Sequence, residues 1–567
     1  MRRIRKPFEN EYDYIIIGAG SAGSVLASRL SEMPCAKILL LEAGKSPPIL
    51  SDVPSAARSF IRSDIDWNYL TVPQRHTAAG HKNRQVPWPS GKTLGGSSTL
   101  NAMLYVRGNR KNYDEWAKQG AIGWSYDDVL PYFKKLENYT EPKHVNNGFH
   151  GTSGPVTAST PKFNPPVKLA AMEAATNLGY EFVDSNGPRQ TGFYNYQSNT
   201  RRGQRCGTAK AYLVPSENRT NLDILTNAMV KKVVIENKRA TKVIFDFEGS
   251  SHEVRAKREI ILSAGTTNTA QLLMLSGIGP MAELSKFGIP VIADLPVGHN
   301  LQDHCATFLA YELSDRQKGF EKEIKLDENI RKYIEKREGP LTTSEGFMLM
   351  SFLSKNMSKM QNDIPDFSLY LVDFVREVPL KQFGISMDVM LKYFGFYAFK
   401  TTIVCASQIL HPRSRGTVTL NSTNPYDPPL IDPNYYADYQ DIDDVVQGLK
   451  VCKKLMGNSA MEKVGARLFA SLLPGCEKFA DDEELYLRCV VRTLVITTNH
   501  QVGTAKMGDP NDPTTVVDPR LKVKTIRGLR VVDASVMPTI PWGNTNIPTI
   551  MIAEKASDII KSTIRCH

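Results

Sequence analysis

The sequence lacks any uninterrupted apolar run near the roughly 20 residues needed to cross a bilayer, because Ser, Lys, Asp or Glu breaks every candidate. No membrane span is therefore expected. The N-terminus also lacks the apolar stretch of a secretory signal, since Pro7 and Glu9 follow its basic residues directly. The compartment stays open: we expect a secreted protein if a leader has been removed, and otherwise a cytoplasmic one.

Cysteine and histidine are too sparse to indicate a disulfide framework or a metal centre. Only eight cysteines occur in 567 residues, and the closest pair, Cys476 and Cys489, fits no CxxC pattern. His299 and His304 stand close together beside Asp303, but without HExxH spacing we expect a structural role for them. No G-x-S-x-G elbow is present, so serine hydrolase chemistry has no support.

Charge of one sign is not concentrated enough to indicate a nucleic-acid reader. Lys and Arg number 70 against 59 Asp and Glu, which gives a net charge of +11. Four of the positive residues, Arg2, Arg3, Arg5 and Lys6, crowd into the first six positions. Without a dense basic stripe or interleaved aromatics, we expect no nucleic-acid partner.

What the sequence does contain is material for a large core. Hydrophobic residues make up 41% and charged residues 23% of the chain, with a mean hydropathy of -0.30. These values are typical of a globular protein. A length of 567 residues exceeds one typical domain, so we expect at least two units that fold together.

A glycine-rich turn near the N-terminus carries the clearest local signal. The β-type run 14–17 is followed by Gly18, Gly20 and Gly23, the spacing of a strand that turns into a dinucleotide-binding helix. The free N–H groups at the helix N-terminus would face a pyrophosphate. A second run ends at Glu42, 19 residues after Gly23, where a carboxylate binds ribose hydroxyls. This pattern predicts a dinucleotide site but does not separate NAD from FAD.

A second glycine-rich segment, 91–105, continues to Gly108 and Asp114. It resembles the first signature of the glucose-methanol-choline (GMC) oxidoreductases, which are FAD enzymes that oxidise alcohols. Small residues let backbone amides approach a large planar ring, and Asn101 offers both a donor and an acceptor. FAD is therefore the cofactor that the resemblance implies.

Further segments of the chain resemble the same family. They are 265–279, 295–304, 500–508, 528–533 and 544–546. Two residues depart from the family pattern: Ala270 stands where Pro or Ser is usual, and Ala505 where many members have Cys. The matching segments run from Tyr12 to Ile560, nearly the whole chain. The sequence of 544–558 is most similar to those of the arthropod glucose dehydrogenase branch and the choline dehydrogenases.

The resemblance implies a mixed α/β fold. A Rossmann-like FAD-binding domain would be discontinuous, over 1–160, 215–309 and 491–567. An inserted substrate-binding domain of antiparallel sheet and helices would comprise 161–214 and 310–490. The proline-rich stretches 164–166 and 425–433 are expected to be rigid connections. The helical stripe formed by Ile442, Val445, Leu449, Cys452 and Met456 is expected to be core.

Oxidation of an alcohol needs a base for the hydroxyl proton and an acceptor for the hydride. No protein side chain accepts hydride, so a cofactor must. The resemblance assigns the base to His500, with hydride transfer to flavin N5. It assigns the second catalytic position, which would hold the alcohol oxygen, to Asn546. A two-residue slip would place Asn544 there instead.

The resemblance also implies the cofactor-binding residues. They are Gly18, Gly20, Ser21, Ala22, Gly23, Glu42, Ala43, Thr93, Gly95, Gly96, Ser98, Asn101, Ala102, Met103, Leu104, Val230, Asp533, Ala534, Asn544, Pro548 and Thr549. A helix predicted to begin at Pro548 would direct its positive end at the flavin. Leu100 stands where some relatives attach FAD to a His, so non-covalent FAD is expected.

These observations predict an FAD-dependent oxidoreductase that acts on the CH-OH group of an alcohol or sugar. The electron acceptor would be quinone-like or oxygen. One alternative is an FAD-containing lyase of the hydroxynitrile type from the same family, and another is a non-catalytic flavin-binding or ligand-binding protein.

Overall fold

The computed structural model describes residues 8–344, 346–373 and 382–566. The basic cluster at Arg2, Arg3, Arg5 and Lys6 lies outside the described residues. Two large β-sheets, each with seven strands, organise the chain. Helices cover both sheets, so the predicted mixed α/β fold is confirmed.

The first sheet has a parallel centre formed by segments that are far apart in sequence. Its parallel strands, in spatial order, are Leu222–Leu225, Ile38–Leu41, Glu11–Ile17, Ser250–Leu262 and Leu529–Val531. Two antiparallel strands, Arg239–Phe247 and Met229–Glu236, extend it at one side. The apolar run predicted at 14–17 and the run that precedes Glu42, Ile38–Leu41, are central strands, buried on both faces as parallel strands usually are.

The second sheet is antiparallel throughout. Its strands, in spatial order, are Arg467–Leu468, Cys305–Glu312, Thr402–Ile409, Phe367–Asp373, Phe347–Leu353 and Gly192–Tyr194, and Ile496–Thr497 pairs with the start of Cys305–Glu312. Helix Tyr439–Met456 packs on one face of this sheet. That helix contains the predicted apolar stripe, and all five of its residues are buried.

The longer helices connect and cover the two sheets. They are Ser21–Leu30, Arg110–Lys118, Tyr126–Leu136, Pro166–Asn177, Gly265–Leu275, Asp327–Lys336, Tyr439–Met456, Glu483–Thr493 and Asn546–Lys561. Shorter α-helices are Val214–Ser216, Met281–Lys286, Phe320–Ile324, Met357–Gln361, Met387–Val389 and Ser459–Glu462. None of the helices in the described part of the chain combines the length and the apolar character that a membrane crossing needs.

Short two-stranded pairs complete the strands. They are Tyr69–Leu70 with Pro87–Trp88, Glu137–Tyr139 with Val156–Ala158, Thr200–Arg201 with Gln204–Arg205, and Thr417–Thr419 with Leu430–Asp432. The second strand of the last pair, Leu430–Asp432, lies inside the stretch 425–433, which was expected to be only a connection. Pro166 likewise begins a helix, because proline is well suited to a first helical position where no N–H partner is needed.

Six of the eight cysteines form disulfides, which the sequence spacing did not reveal. Cys35 pairs with Cys566, Cys405 with Cys452, and Cys476 with Cys489. The second pair joins a strand of the antiparallel sheet to the helix that packs on it. Cys206 and Cys305 are free and buried.

Candidate functional site

A cavity lies between the two sheets and takes its walls from both. The first sheet contributes the ends of its parallel strands, at Ile17 and Leu41, and the turns that follow them. The second sheet contributes side chains from one of its faces, such as Phe308 and Tyr370. The carboxyl ends of parallel strands are where ligands bind in open α/β sheets, so this position by itself indicates a binding site.

The N-terminal glycine turn forms one end of the cavity. A Cβ on Gly23 would stand 1.8 Å from the carbonyl oxygen of Gly18, so only glycine lets helix Ser21–Leu30 pack this close to the strand. The helix starts without a side-chain cap and without an acidic residue in its first turn. Its first N–H groups therefore point toward the cavity wall at Ser21 and Ala22, an arrangement suited to a phosphate.

The second glycine-rich segment contacts the first. Gly96 has a positive φ of 52°, and a Cβ on it would lie 2.7 Å from the Cα of Gly20. The contact requires glycine at position 96, whereas a Cβ on Gly20 would lie 3.9 Å from the Cα of Gly96, an ordinary contact distance. Their contact forms a smooth backbone wall along the cavity.

Glu42 lies at the end of strand Ile38–Leu41 and lines the cavity. Its carboxylate accepts hydrogen bonds from the amides of Ala19 and Gly44, each at 2.8 Å. Burial raises the pKa of Glu42 to about 7. Each oxygen still has lone-pair capacity for a ligand hydroxyl, as expected of a residue that binds ribose.

Two parallel helices direct their N-termini at the same cavity. The hydroxyl of Ser21 donates to the amide oxygen of Asn546 at 2.7 Å, which joins the starts of helices Ser21–Leu30 and Asn546–Lys561. Two turns further along, Arg29 forms a salt bridge of 2.8 Å with the buried Glu554, which also accepts from the Tyr212 hydroxyl. The second helix has no side-chain cap and no acidic residue in its first turn. Two positive helix ends therefore meet the cavity side by side.

His500 lines the cavity, and both of its ring nitrogens lie within hydrogen-bond distance of other side chains. Its Nε2 lies 2.9 Å from the amide nitrogen of Asn544. Its Nδ1 lies 3.0 Å from Nδ1 of His304 and 3.1 Å from the hydroxyl oxygen of Thr498. Both His500 and His304 are buried.

The partners of His304 determine which nitrogen of His500 carries a proton. Nε2 of His304 lies 3.2 Å from the carbonyl oxygen of Leu410, which can only accept, so this nitrogen is the donor. Burial and the neighbouring His500 hold the pKa of His304 well below its ordinary value, so the ring is neutral and its Nδ1 accepts. His500 must then donate from Nδ1. Its Nε2 therefore carries no proton, and the Nε2 lone pair accepts a hydrogen bond from the Asn544 amide.

Burial favours an uncharged imidazole at position 500. Burial lowers the pKa of His500 to about 3, so the ring is neutral at ordinary pH. Asp303 accepts a hydrogen bond of 2.8 Å from the backbone amide of His500 and holds the loop in place. The second oxygen of Asp303 accepts from the hydroxyls of Thr497 and Tyr435. Burial raises the pKa of Asp303 to about 6.

The structure brings most of the predicted site residues together. His500, Asn546 and 16 of the 21 predicted cofactor residues line the cavity: Gly18, Gly20, Ser21, Ala22, Glu42, Ala43, Gly96, Asn101, Ala102, Met103, Leu104, Val230, Asp533, Ala534, Asn544 and Thr549. The other five, Gly23, Thr93, Gly95, Ser98 and Pro548, are outside the lining. Thr93 and Ser98 instead donate to the backbone oxygens of Lys45 and Gly95.

The residue beside His500 is Asn544, not Asn546. Asn544 donates directly to His500, whereas the amide oxygen of Asn546 accepts from Ser21 at the start of the C-terminal helix. The expected pairing of His500 with Asn546 therefore differs from the hydrogen bonding that the structure shows. The two-residue slip considered above describes the geometry, because the helix begins at Asn546 and turns this side chain toward the neighbouring helix.

Sequence reasoning missed the residues behind His500. His304 and Asp303 were expected to have only a structural role, yet both contact His500. Thr498 and Tyr435 carried no signal in the sequence. The one available signal was that 295–304 and 500–508 both match the same family. Within the described residues, no group of three or more His, Cys, Asp or Glu side chains is arranged to hold a metal ion.

The residues present fit a flavin dinucleotide. The uncapped start of helix Ser21–Leu30 and the Gly20–Gly96 contact leave room for a pyrophosphate, and Glu42 suits the ribose. Near His500, the buried amide oxygen of Asn544 has no hydrogen-bond partner among the described residues, which leaves it available to a ligand. The cavity continues from one group to the other.

Comparison with known proteins agrees with this geometry. The family model described as GMC oxidoreductase matches residues 12–306 with its N-terminal part and 412–553 with its C-terminal part. Glucose dehydrogenase [FAD, quinone] of Drosophila pseudoobscura pseudoobscura is 38% identical over 99% of this chain and 88% of its own length. Choline dehydrogenase of Homo sapiens is 36% identical over 97% of this chain and 90% of its own.

A solved structure has the same fold. Pyridoxine 4-oxidase from Mesorbium loti superposes with a TM-score of 0.82 at 28% identity, covering 98% of this chain and 100% of the other.

Proposed function

The chain belongs to the GMC oxidoreductase family, whose members are FAD-dependent oxidoreductases acting on alcohol-type substrates, and from this premise we propose that His500 is its catalytic base. The observation that supports the role is the proton arrangement of the His304–His500 pair, which leaves Nε2 of His500 unprotonated beside Asn544. A neutral imidazole whose Nε2 carries no proton can take the proton of a substrate hydroxyl once that hydroxyl replaces the Asn544 amide at Nε2.

Asn544 and His500 would hold the substrate oxygen together. The amide of Asn544 lies 2.9 Å from Nε2 of His500, so a substrate hydroxyl that displaces this hydrogen bond could give its proton to Nε2 while its oxygen accepts from the amide. Asn546 would instead position the C-terminal helix through Ser21. FAD, when bound, supplies the acceptor for the hydride that leaves the carbinol carbon.

The cofactor would be held by groups along the cavity. The helix start at Ser21 and Ala22 would bind the pyrophosphate, and Glu42 would bind the ribose. Asn101 and Met103 line the cavity on the second glycine-rich segment and would support the ring. We propose a quinone-like electron acceptor because the 38% identical relative is named a quinone-dependent dehydrogenase, with oxygen as the alternative. No observation favours a lyase, since the relatives reported above are named dehydrogenases or an oxidase.

Anaerobic reduction of the bound flavin tests this function. The FAD-loaded protein is mixed with alcohols of several classes, and the flavin absorbance is followed. His500→Ala should keep FAD but lower the reduction rate by about 100-fold or more, as loss of a general base does. His76→Ala, an exposed histidine outside the cavity lining, is the control and should reduce at the original rate. Unchanged reduction in the His500 variant would refute the assignment of the base.

A further inference from the structure

We propose that the substrate of this site is an uncharged, predominantly apolar alcohol rather than a sugar or a quaternary amine. The proposal rests on the alcohol oxidation proposed above and specifies its substrate class. The observation that carries it is the composition of the cavity wall that the antiparallel sheet contributes opposite the glycine-rich turns.

One face of the antiparallel sheet forms this wall. Side chains alternate along a strand, and the cavity-lining positions keep that alternation: Ala306 and Phe308, Tyr370 and Val372, Val404 and Ala406. Phe308 and Tyr370 both pair with Ala406, so the three side chains stand in one row across the sheet. Val372 and Val404 are partners in the next row. The wall is therefore a continuous apolar surface built on rigid strands.

Residues outside these strands extend the same surface. Leu104, Phe347, Phe383 and Ile496 also line the cavity and belong to the same apolar cluster as the sheet face. Ile496 is the last apolar residue of this surface before His500 in the chain, and the three lining residues between them, Thr497, Thr498 and Asn499, are polar. A substrate whose hydroxyl meets His500 and Asn544 would place the rest of its atoms against this surface.

Polar groups on this wall are few. The Tyr370 hydroxyl is buried and has no hydrogen-bond partner among the described residues, so it offers one distal polar contact. Asp373 is a buried carboxyl whose oxygen accepts from the amide of Phe320 at 2.7 Å, and burial raises its pKa to about 7. Arg58 also lines the cavity and attracts Asp373, so this carboxyl already has a cationic neighbour.

This wall discriminates against the other two substrate classes. Each hydroxyl of a sugar would lose its hydrogen bonds to water and find apolar carbon in most positions. Aromatic side chains can attract a quaternary ammonium, but a cage for a cation also gains from a carboxylate that is not already attracted to an arginine. An aliphatic or aromatic chain, in contrast, gains from burial against this surface.

A series of primary alcohols of increasing length tests the proposal. With the FAD-loaded protein, kcat/KM should rise about threefold to fourfold for each added methylene until the cavity is filled, because burial of one methylene contributes about 0.8 kcal/mol. Glucose and choline should be poorer substrates than the longer alcohols. A flat series, or glucose or choline exceeding the longer alcohols, would overturn the proposal.

Tertiary alcohols separate this proposal from the proposed function, since they have no carbinol hydrogen to transfer. Their binding to the FAD-loaded protein, measured by calorimetry, should tighten by the same threefold to fourfold for each methylene. If they bind in this way while no primary alcohol reduces the flavin, alcohol oxidation fails but the apolar ligand class stands. If their binding does not depend on chain length, the substrate class fails even where alcohols reduce the flavin.

A pair of isosteric variants locates the effect on the sheet wall. Val404→Thr adds a hydroxyl to the cavity face and should weaken binding of the longest alcohols by about fivefold. Val445→Thr makes the same change at a buried position on helix Tyr439–Met456, outside the cavity lining, and should leave the chain-length dependence intact. Equal effects of the two variants would contradict a role for the wall.

Discussion

The Nδ1 atoms of His304 and His500 lie 3.0 Å apart, and only one of them can carry the proton between them. The carbonyl of Leu410 fixes the proton of His304 on its Nε2, which leaves His304 as the acceptor. The unprotonated Nε2 of His500 thus faces Asn544 because of His304, which does not itself line the cavity. His304 is accordingly a positioning residue.

Replacing His304 should expose this role. His304→Leu removes the imidazole acceptor and leaves only the Thr498 hydroxyl near Nδ1 of His500. The Nδ1 proton can then shift to Nε2, and flavin reduction should slow by up to about 100-fold, an effect of the size that loss of a general base has. His304→Asn keeps an acceptor oxygen and should recover most of the rate. Nitrogen NMR of the imidazole would report the protonated Nε2 directly in the Leu variant.

FAD content and thermal stability serve as controls for the same pair of variants. Both should retain FAD, since the predicted cofactor-binding residues do not include His304. Equal rates in the Leu and Asn variants, with His500 still protonated on Nδ1, would show that His304 only fills space.

The rate of flavin reduction should depend little on pH between about 8 and 5. The base is needed in its neutral form, and burial lowers the pKa of His500 to about 3, so it stays neutral well below pH 6.5. A histidine with an ordinary pKa of 6.5 would lose about 30-fold by pH 5, because only the neutral fraction can act. Stopped-flow reduction across this range measures the difference.

Asp303 is the neighbouring group that could introduce a pH effect of its own, since burial raises its pKa to about 6. A decline near pH 6 that disappears in Asp303→Asn would belong to this carboxylate. A decline that persists in Asp303→Asn, with an apparent pKa between 6 and 7, would contradict the low pKa of His500.

Asn544 and Asn546 should respond differently to removal of the amide. Asn544→Ala deletes the donor beside the base and should lower the rate of flavin reduction by about 100-fold to 1,000-fold, as loss of an oxyanion donor does, while FAD stays bound. Asn546→Ala removes the contact with Ser21 that joins two helix starts, so FAD affinity should weaken more than the rate of reduction. Rapid kinetics and FAD titration compare the two variants, which carry the same substitution two residues apart.

Short-range sequence patterns predicted individual strands, a buried helix face and one residue of the cavity. The run 14–17 before Gly18 is a strand, and the apolar stripe from Ile442 to Met456 is a buried helix face, because periodicity and turn glycines act over a few residues. The same holds for Glu42, which follows its strand and lines the cavity. These features need no knowledge of the rest of the chain.

Contacts between distant segments could not be predicted in this way. His304 meets His500 across 196 residues, and Ser21 meets Asn546 across 525. Nothing in the local sequence of 544–546 says which asparagine turns toward His500, because that depends on where the helix starts and on what packs beside it. The Cys35–Cys566 disulfide, with a separation of 531 residues, was missed for the same reason.

The disulfide between Cys405 and Cys452 should contribute substantially to stability. It closes a loop of 47 residues and connects a central strand of the antiparallel sheet to its covering helix. Replacing both residues by alanine should lower the free energy of unfolding by about 2–4 kcal/mol, since the unfolded chain regains conformational freedom. Denaturant unfolding measures the change.

Cys206→Ala is the matched control for that experiment, because Cys206 is buried but free. It removes one sulfur from the core without opening a covalent loop and should cost less. A loss in the double variant no larger than twice that of Cys206→Ala would show that the bond itself contributes little.

FAD should dissociate from the denatured chain. Leu100 lines the cavity at the position where a histidine would be needed for covalent attachment, and it packs with Phe60 and Ile65. A leucine side chain has no nucleophilic atom.

Among the described lining residues there is no cysteine, and the one histidine, His500, has both ring nitrogens engaged by neighbouring side chains. Acid precipitation of the FAD-loaded protein should therefore leave the yellow flavin in the supernatant, and the mass of the polypeptide should be the same before and after loading with FAD. Flavin that stays with the precipitate, together with a mass increase equal to FAD, would show that another lining residue forms the bond.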